Sequence, residues 1–160
     1  MKLRTLLLAI FLIASGAYAQ KKSGGNYAYK TECMGVELDG SQTLKAWGNG
    51  RNRSDAVDQA KKNAIRDVIF SGISEGKQEC NVKPLIFEVN AQEKYEDYFN
   101  KFFADGGEFK NFISLRDERI FDKISRDKKK ARESVTHGLI VRVLRTELKE
   151  KLIADGIIKK

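Results

Sequence analysis

The sequence predicts an α+β fold in the order β-β-α-α-β-β-α: an antiparallel sheet of two hairpins with helices mainly on one face. Three observations carry this. An Asp39-Gly40 pair stands between two alternating runs, Met34 to Leu38 and Ser41 to Trp47, which is a hairpin signal. From Trp47 to Gly72 a strand end, a glycine turn and a long amphipathic helix follow one another. Far downstream, Phe109 to Asp117 and Ser134 to Leu144 read as two further strands, the second alternating through Val135, His137, Leu139, Val141 and Val143.

Taken in order, Met1 to Gln20 reads as a leader. Lys2 and Arg4 precede an apolar run from Leu6 to Ala14, and Ala17-Tyr18-Ala19 has the form of a signal peptidase site. The run falls short of the roughly 20 residues of a membrane span, so cleavage before Gln20 is expected, an uncleaved N-terminal anchor being the alternative. The expected organisation is residues 1–19 as signal peptide, 20–30 as a flexible leash containing KKSGGN, and 31–160 as one α+β domain exported to the periplasm or the cell exterior. No cysteine stands directly after the cleavage site, the first being Cys33, so acylation there is not expected.

The whole chain carries a net charge of +8. Removing Lys2 and Arg4 leaves 28 basic residues against 22 acidic, an excess mixed with enough acid to make nucleic acid an unexpected partner. Cys33 and Cys80 form an even count in an oxidising compartment, which favours a disulfide; two buried free thiols are the alternative. Two cysteines and one histidine cannot supply the short-spaced ligands of a zinc site, and no cofactor motif stands.

The long helix has Ala56, Ala60, Ala64 and Val68 on one row and Val57, Ile65, Ile69 and Ile73 beside it. Alanine on the buried row lets the helix axis lie close to a sheet. Ser54 is the expected N-cap, Asp55 suits the first turn, and Gly72 and Gly76 supply the stop. Gly48-Asn49-Gly50 begins a G-x-G-x-x-G pattern, but its third glycine position is Arg53 and the strand before it belongs to a hairpin, so a dinucleotide site is excluded. A milder possibility stays open: Gly48, Gly50, Arg51 and Arg53 at a helix start could hold an anion, against a plain tight turn.

Gly72 to Gly76 matches G-x-S-x-G around Ser74, and Asp117 and His137 follow in hydrolase order. A nucleophile elbow needs a strand before the serine and a helix after it, and here a helix comes before. A small hydrolase or thiol enzyme using Ser74 or Cys80 with His137 is therefore the alternative function. His137 itself shares a face with apolar residues, as a core or edge histidine does.

Leu85 to Val89 is a short apolar run, a strand or a buried extended segment. Asn90 then caps a second helix with Glu93 as its capping-box partner. Ala91, Tyr95, Tyr98, Phe99, Phe102 and Phe103 form an aromatic stripe that reads as core, or else as a groove for a partner, and Asp105-Gly106-Gly107 ends it. Between the last two strands, Arg126, Lys128, Lys129, Lys130 and Arg132 form a charged hairpin tip, solvated or able to meet an acidic partner. A final helix runs from about Thr146 to Asp155 with Leu148, Leu152 and Ile153 inward.

WGNGRNRSDAVDQAKKNAIRDVIFSGI, with GLIVRVLRTELKEKL downstream, resembles the envelope domains of the LPP20 lipoprotein family and the N-terminal domain of flagellar assembly protein T, and also secreted proteins of Bacteroides-type bacteria. The likeness is clearest over Ala46 to Ile73; the lipobox cysteine is missing, and Asn90 to Gly107 has no counterpart. It implies an envelope accessory role without known catalytic residues. The expected function is thus a non-enzymatic secreted cell-envelope module binding a protein or glycan, through its open sheet face, its aromatic helix or its basic tip.

Overall fold

The structure, a computed structural model, describes residues 30–80, 83–121 and 135–159. The expected leader, most of the leash and the basic tip at Arg126, Lys128, Lys129, Lys130 and Arg132 lie outside the described residues.

Strands β1 (Glu32–Val36) and β2 (Gln42–Gly50) form the first hairpin. Its turn is set by Gly40 at a φ of 80°, and by Asp39, whose side chain accepts from the Ser41 N–H at 2.8 Å. β4 (Ile113–Phe121) and β5 (Val135–Val143) form the second, and β2 pairs antiparallel with β5 along its whole length, from Gln42↔Val143 to Gly50↔Val135. A two-residue strand, β3 (Glu75–Gly76), adds a short parallel pairing outside β1, so the order is β3-β1-β2-β5-β4. The architecture is α+β with a mostly antiparallel sheet.

One face of that sheet carries Cys33, Leu44, Ala46, Leu139, Val141 and Val143, all in a single buried cluster. The same cluster takes in Ala60, Ala64, Ile65 and Val68 of the long helical run, Phe99 and Phe102 of the aromatic segment, and Leu148 and Leu152 of the last helix. Helices thus cover one face. Helix α1 (Arg53–Arg66) crosses β2 and β5 there.

Gly48 and Gly50 are not a turn between strand and helix, as the sequence suggests, but the last part of β2 itself. A Cβ on Gly48 would overlap the Ala56 carbonyl and the Ala60 backbone nitrogen, and one on Gly50 would overlap Asp55 and Ala56. Helix and strand touch backbone to backbone because both contribute the smallest residues at the crossing. The N-cap is also corrected. Asn52, not Ser54, caps α1, its Oδ1 accepting from Asp55 N–H at 2.9 Å, because the strand runs on to Gly50 and leaves Asn52 in extended conformation just before the first turn.

α1 ends in a π-turn over Asp67–Ser71, closed by Gly72 at a φ of 74°. Its widened carbonyls find donors in the Leu85 to Val89 run, which is irregular and not a strand, with Leu85 and Ile86 buried but Phe87 and Val89 exposed: Leu85 N–H donates to Val68 O at 3.0 Å and Ile86 N–H to Ile69 O at 2.9 Å. The bridge between Cys33 and Cys80, with Cα atoms 5.9 Å apart, ties β1 to the loop that leads into this segment.

The second helix is two pieces, α2 (Ala91–Lys94) and α3 (Glu96–Phe102), broken at Tyr95. Asn90 stands at the N-cap position without a side-chain cap bond, so the expected capping box with Glu93 is not formed. The aromatics join the core beside the last turns of α1, where Phe99 meets Phe70 with ring centres 4.8 Å apart, Phe102 meets Phe112 at 6.0 Å, and the Arg66 guanidinium lies 5.3 Å over Phe103. Phe109 to Phe112, expected as strand, belongs to a 3-10 turn (Glu108–Phe112) that buries both phenylalanines before β4 begins. Helix α4 (Arg145–Ala154) closes the core with Leu148 and Leu152, while Ile153 is only half-buried; Tyr98 Oη donates to Asp155 at 2.6 Å and fastens α3 to its end.

Candidate functional site

The hydrolase residues are dispersed by the topology. Ser74 is exposed just before β3 at one edge of the sheet, while His137 is buried on β5 opposite Gly48. β3 and β5 are separated by β1 and β2, so three strand spacings of about 4.8 Å put roughly 14 Å between them. Cys80 is bonded to Cys33, whose neighbours on β2 and β5 are Leu44 and Val141, four residues along each strand from Gly48 and His137. Ser74, Cys80 and His137 are not brought together.

The segment from Gly48 to Arg53, a possible anion holder by its residue types, has its charges engaged locally. Arg51 Nε meets Asp55 at 3.0 Å, the Asp55 carboxylate sits in the first turn of α1, and the Asp55 N–H is taken by Asn52. Arg53 opens the helix and is exposed. Gly48 and Gly50 serve the close approach of α1.

Among the described side chains, the uncovered sheet face presents mainly charged and polar groups around Trp47 and Ile140. Lys45 pairs with Glu32 at 3.3 Å and lies 5.1 Å over the Trp47 ring, and Arg142 reaches Glu37 at 3.4 Å. Trp47 itself is buried against Gly138, where a Cβ would lie 2.9 Å from the indole. Its described part thus carries one cross-strand ion pair, Lys45 with Glu32, and a second from β5 to the hairpin loop, beside the buried tryptophan.

A cleft of about 720 Å³ opens between α1 and the α2–α3 segment. One wall is Gln59, Lys62 and Arg66, spaced i, i+3, i+7 along α1; the other includes Glu93, Glu96, Asn100 and Phe103 at equivalent spacing, with Asn90 and Gln92 at the α2 end. Phe99 and Phe103 form the apolar part of the floor. In volume and in its mixture of aromatic floor and convergent polar groups it has the dimensions of a small-molecule or short-oligomer site.

Electrostatically the two cations differ. Lys62 donates to Asp105 at 2.9 Å and lies 5.7 Å over the Phe109 ring. Arg66 is half-buried with its guanidinium 5.3 Å over Phe103, and among the described residues it has no hydrogen bond and no ion pair; its Nε is buried without an acceptor. The carboxylate next to it, Asp67, accepts from Thr31 and Ser71 instead, and burial pushes its pKa up against those bonds and the Arg66 charge. The side chains of Asn90, Gln92, Asn100, Glu93 and Glu96 likewise have no hydrogen bond or ion pair among the described residues. In the sequence, the aromatic stripe marks this region as a possible groove, whereas Arg66 falls with the solvent side of the helix. Its spacing from Gln59 is the signal that places it on the cleft wall.

A second cleft, about 650 Å³, lies at the end of the sheet between Val36, Pro84, Phe87 and the start of α4. Its polar groups are less accessible. Arg145 donates through Nη2 to the Lys83 carbonyl at 2.8 Å, and Arg145 Nη1 and Gln42 Oε1 are buried under the wall.

Among the described residues no cluster of His, Cys, Asp or Glu is placed to hold a metal ion, and no helix is long and apolar enough to cross a membrane. Comparison with protein-family models, curated proteins and solved structures finds no match to this chain.

Proposed function

We propose that this protein is an exported, non-enzymatic accessory module of the cell envelope that binds a glycan in the cleft between α1 and α2–α3. The observation that carries the reading is Arg66, a half-buried guanidinium stacked on Phe103 without a hydrogen-bond partner, facing the unengaged carboxamides Asn90, Gln92 and Asn100. Each carboxamide donates and accepts in one plane, which suits ring hydroxyls. Export is supported by Lys2, Arg4, the run from Leu6 to Ala14 and Ala17-Tyr18-Ala19, together with the bridged cysteines. The resemblance to LPP20-type envelope domains points the same way.

The test is retention on immobilised envelope polysaccharide, comparing wild type with Arg66→Glu and His137→Ala. The binding reading expects Arg66→Glu to lose retention and His137→Ala to keep it. A folded Ser74→Ala or His137→Ala protein that alone loses its cellular function, while Arg66→Glu keeps it, would replace binding with chemistry.

A further inference from the structure

We infer that the cleft between α1 and α2–α3 takes an acidic glycan, a saccharide bearing a ring carboxylate, with Arg66 as the carboxylate anchor. This rests on the glycan-binding reading above and adds the ligand's charge to it.

The use of the cleft's charges singles out Arg66. Lys62 is committed to Asp105 across the loop after α3. Asp67, beside Arg66 in sequence, gives its carboxylate to Thr31 and Ser71. Arg66 therefore stays the cleft cation without a hydrogen-bonded carboxylate among the described residues, although its charge acts on Asp67 and although Glu93 and Glu96 stand on the opposite wall. Those two are exposed and screened by solvent, whereas Arg66 is half-buried against Phe103, where a single charge acts at shorter range and lower dielectric. A guanidinium held against an aromatic ring keeps its plane fixed, and its open edge matches the two oxygens of a carboxylate.

The rest of the lining selects the body that carries that carboxylate. An extended peptide would want apolar pockets or an open strand edge, and this cleft lies between helices with Val89 as its exposed apolar rim residue. Asn90, Gln92 and Asn100 instead line the cleft with in-plane donors and acceptors of the kind that suit ring hydroxyls.

The experiment is a titration of the full chain followed by backbone amide resonances, with trigalacturonate, maltotriose and a tri-aspartate peptide as probes. Trigalacturonate is expected to shift resonances of the α1 end and of α2–α3, and to bind at least about tenfold more tightly than maltotriose. Arg66→Gln, with an otherwise unchanged spectrum, should remove that margin, so that the two saccharides bind alike. Asn100→Asp, which adds a negative charge on the opposite wall, should weaken trigalacturonate more than maltotriose. Equal binding of both saccharides in the cleft overturns the acidic preference and leaves the glycan reading standing. Cleft shifts with tri-aspartate but neither saccharide replace the glycan by a peptide, and no cleft shift with any probe overturns both readings.

Discussion

The crossing of β2 under α1 and the cleft between α1 and α2–α3 are built from the same helix, on opposite principles. At the crossing, Gly48 and Gly50 meet Ala56 and Ala60 so closely that backbones touch, and no side chain has room to move. At the cleft, long polar side chains of α1 face those of α2–α3, and Phe99 and Phe103 lie beneath. Small residues make a rigid and silent joint; large amphipathic ones hold two walls apart and leave groups to interact with something else. One helix thus supplies stability on its alanine row and a binding surface on its Gln59-Lys62-Arg66 row.

The largest effect expected is on the aromatic side. Phe99 is buried among Phe70, Tyr98 and Phe103, and Phe99→Ala should cost roughly 3–5 kcal/mol, read as a drop in denaturant midpoint. An unmoved midpoint would mean that the aromatic segment is a loosely held wall and not part of the core.

The bridge should come next. It closes a sequence separation of 47 residues, and Cys80→Ala is expected to cost up to about 4 kcal/mol by the chain-entropy account. Calorimetry with and without reductant checks it; reductant should lower the wild-type midpoint and leave the variant unchanged.

Gly48→Ala tests the crossing directly. Its new Cβ would meet backbone atoms of α1, which cannot rotate away, so about 3 kcal/mol or more is expected. Gly138→Ala is the control. There the Cβ meets the Trp47 ring at 2.9 Å, a side chain able to shift, and about 1 kcal/mol should suffice. Equal costs would erase the distinction between a backbone joint and a side-chain one.

The smallest effect is a slope with pH. Burial raises the Asp67 pKa above 3.8, so the folded chain holds this proton more tightly than the unfolded chain does. Its contribution is fully present below 3.8 and is lost as pH rises through the folded value. Asp67→Asn removes that contribution while keeping an acceptor for Thr31. The wild-type minus variant stability, measured by urea unfolding across the acid range, should therefore decline with rising pH; a difference that grows instead would contradict the burial argument.

Much of this architecture is legible in the amino-acid sequence, because its signals are local. Asp39-Gly40 between alternating runs makes a hairpin by turn chemistry alone, and the four-residue spacing of Ala56, Ala60 and Ala64 makes a buried helix row whatever it packs against. The pairing of Cys33 with Cys80 follows from count and compartment, and it stands in the fold. What the chain alone leaves undecided depends on meetings between distant residues. Gly48 and Gly50 read as a turn because glycine signals both a turn and a close approach, and only the position of α1 separates the two. Asn52 takes the cap from Ser54 because the strand runs further than its alternation shows. Phe109 and Phe112 belong to a 3-10 turn because the core needs both rings at the end of α3. The open state of Arg66 is the clearest case: it follows from where Asp105, Thr31 and Ser71 fall in space, since each captures a charge that sequence proximity would have offered elsewhere. Periodicity reports which face of an element is buried; which polar group is left facing a cleft is decided only when the elements are assembled.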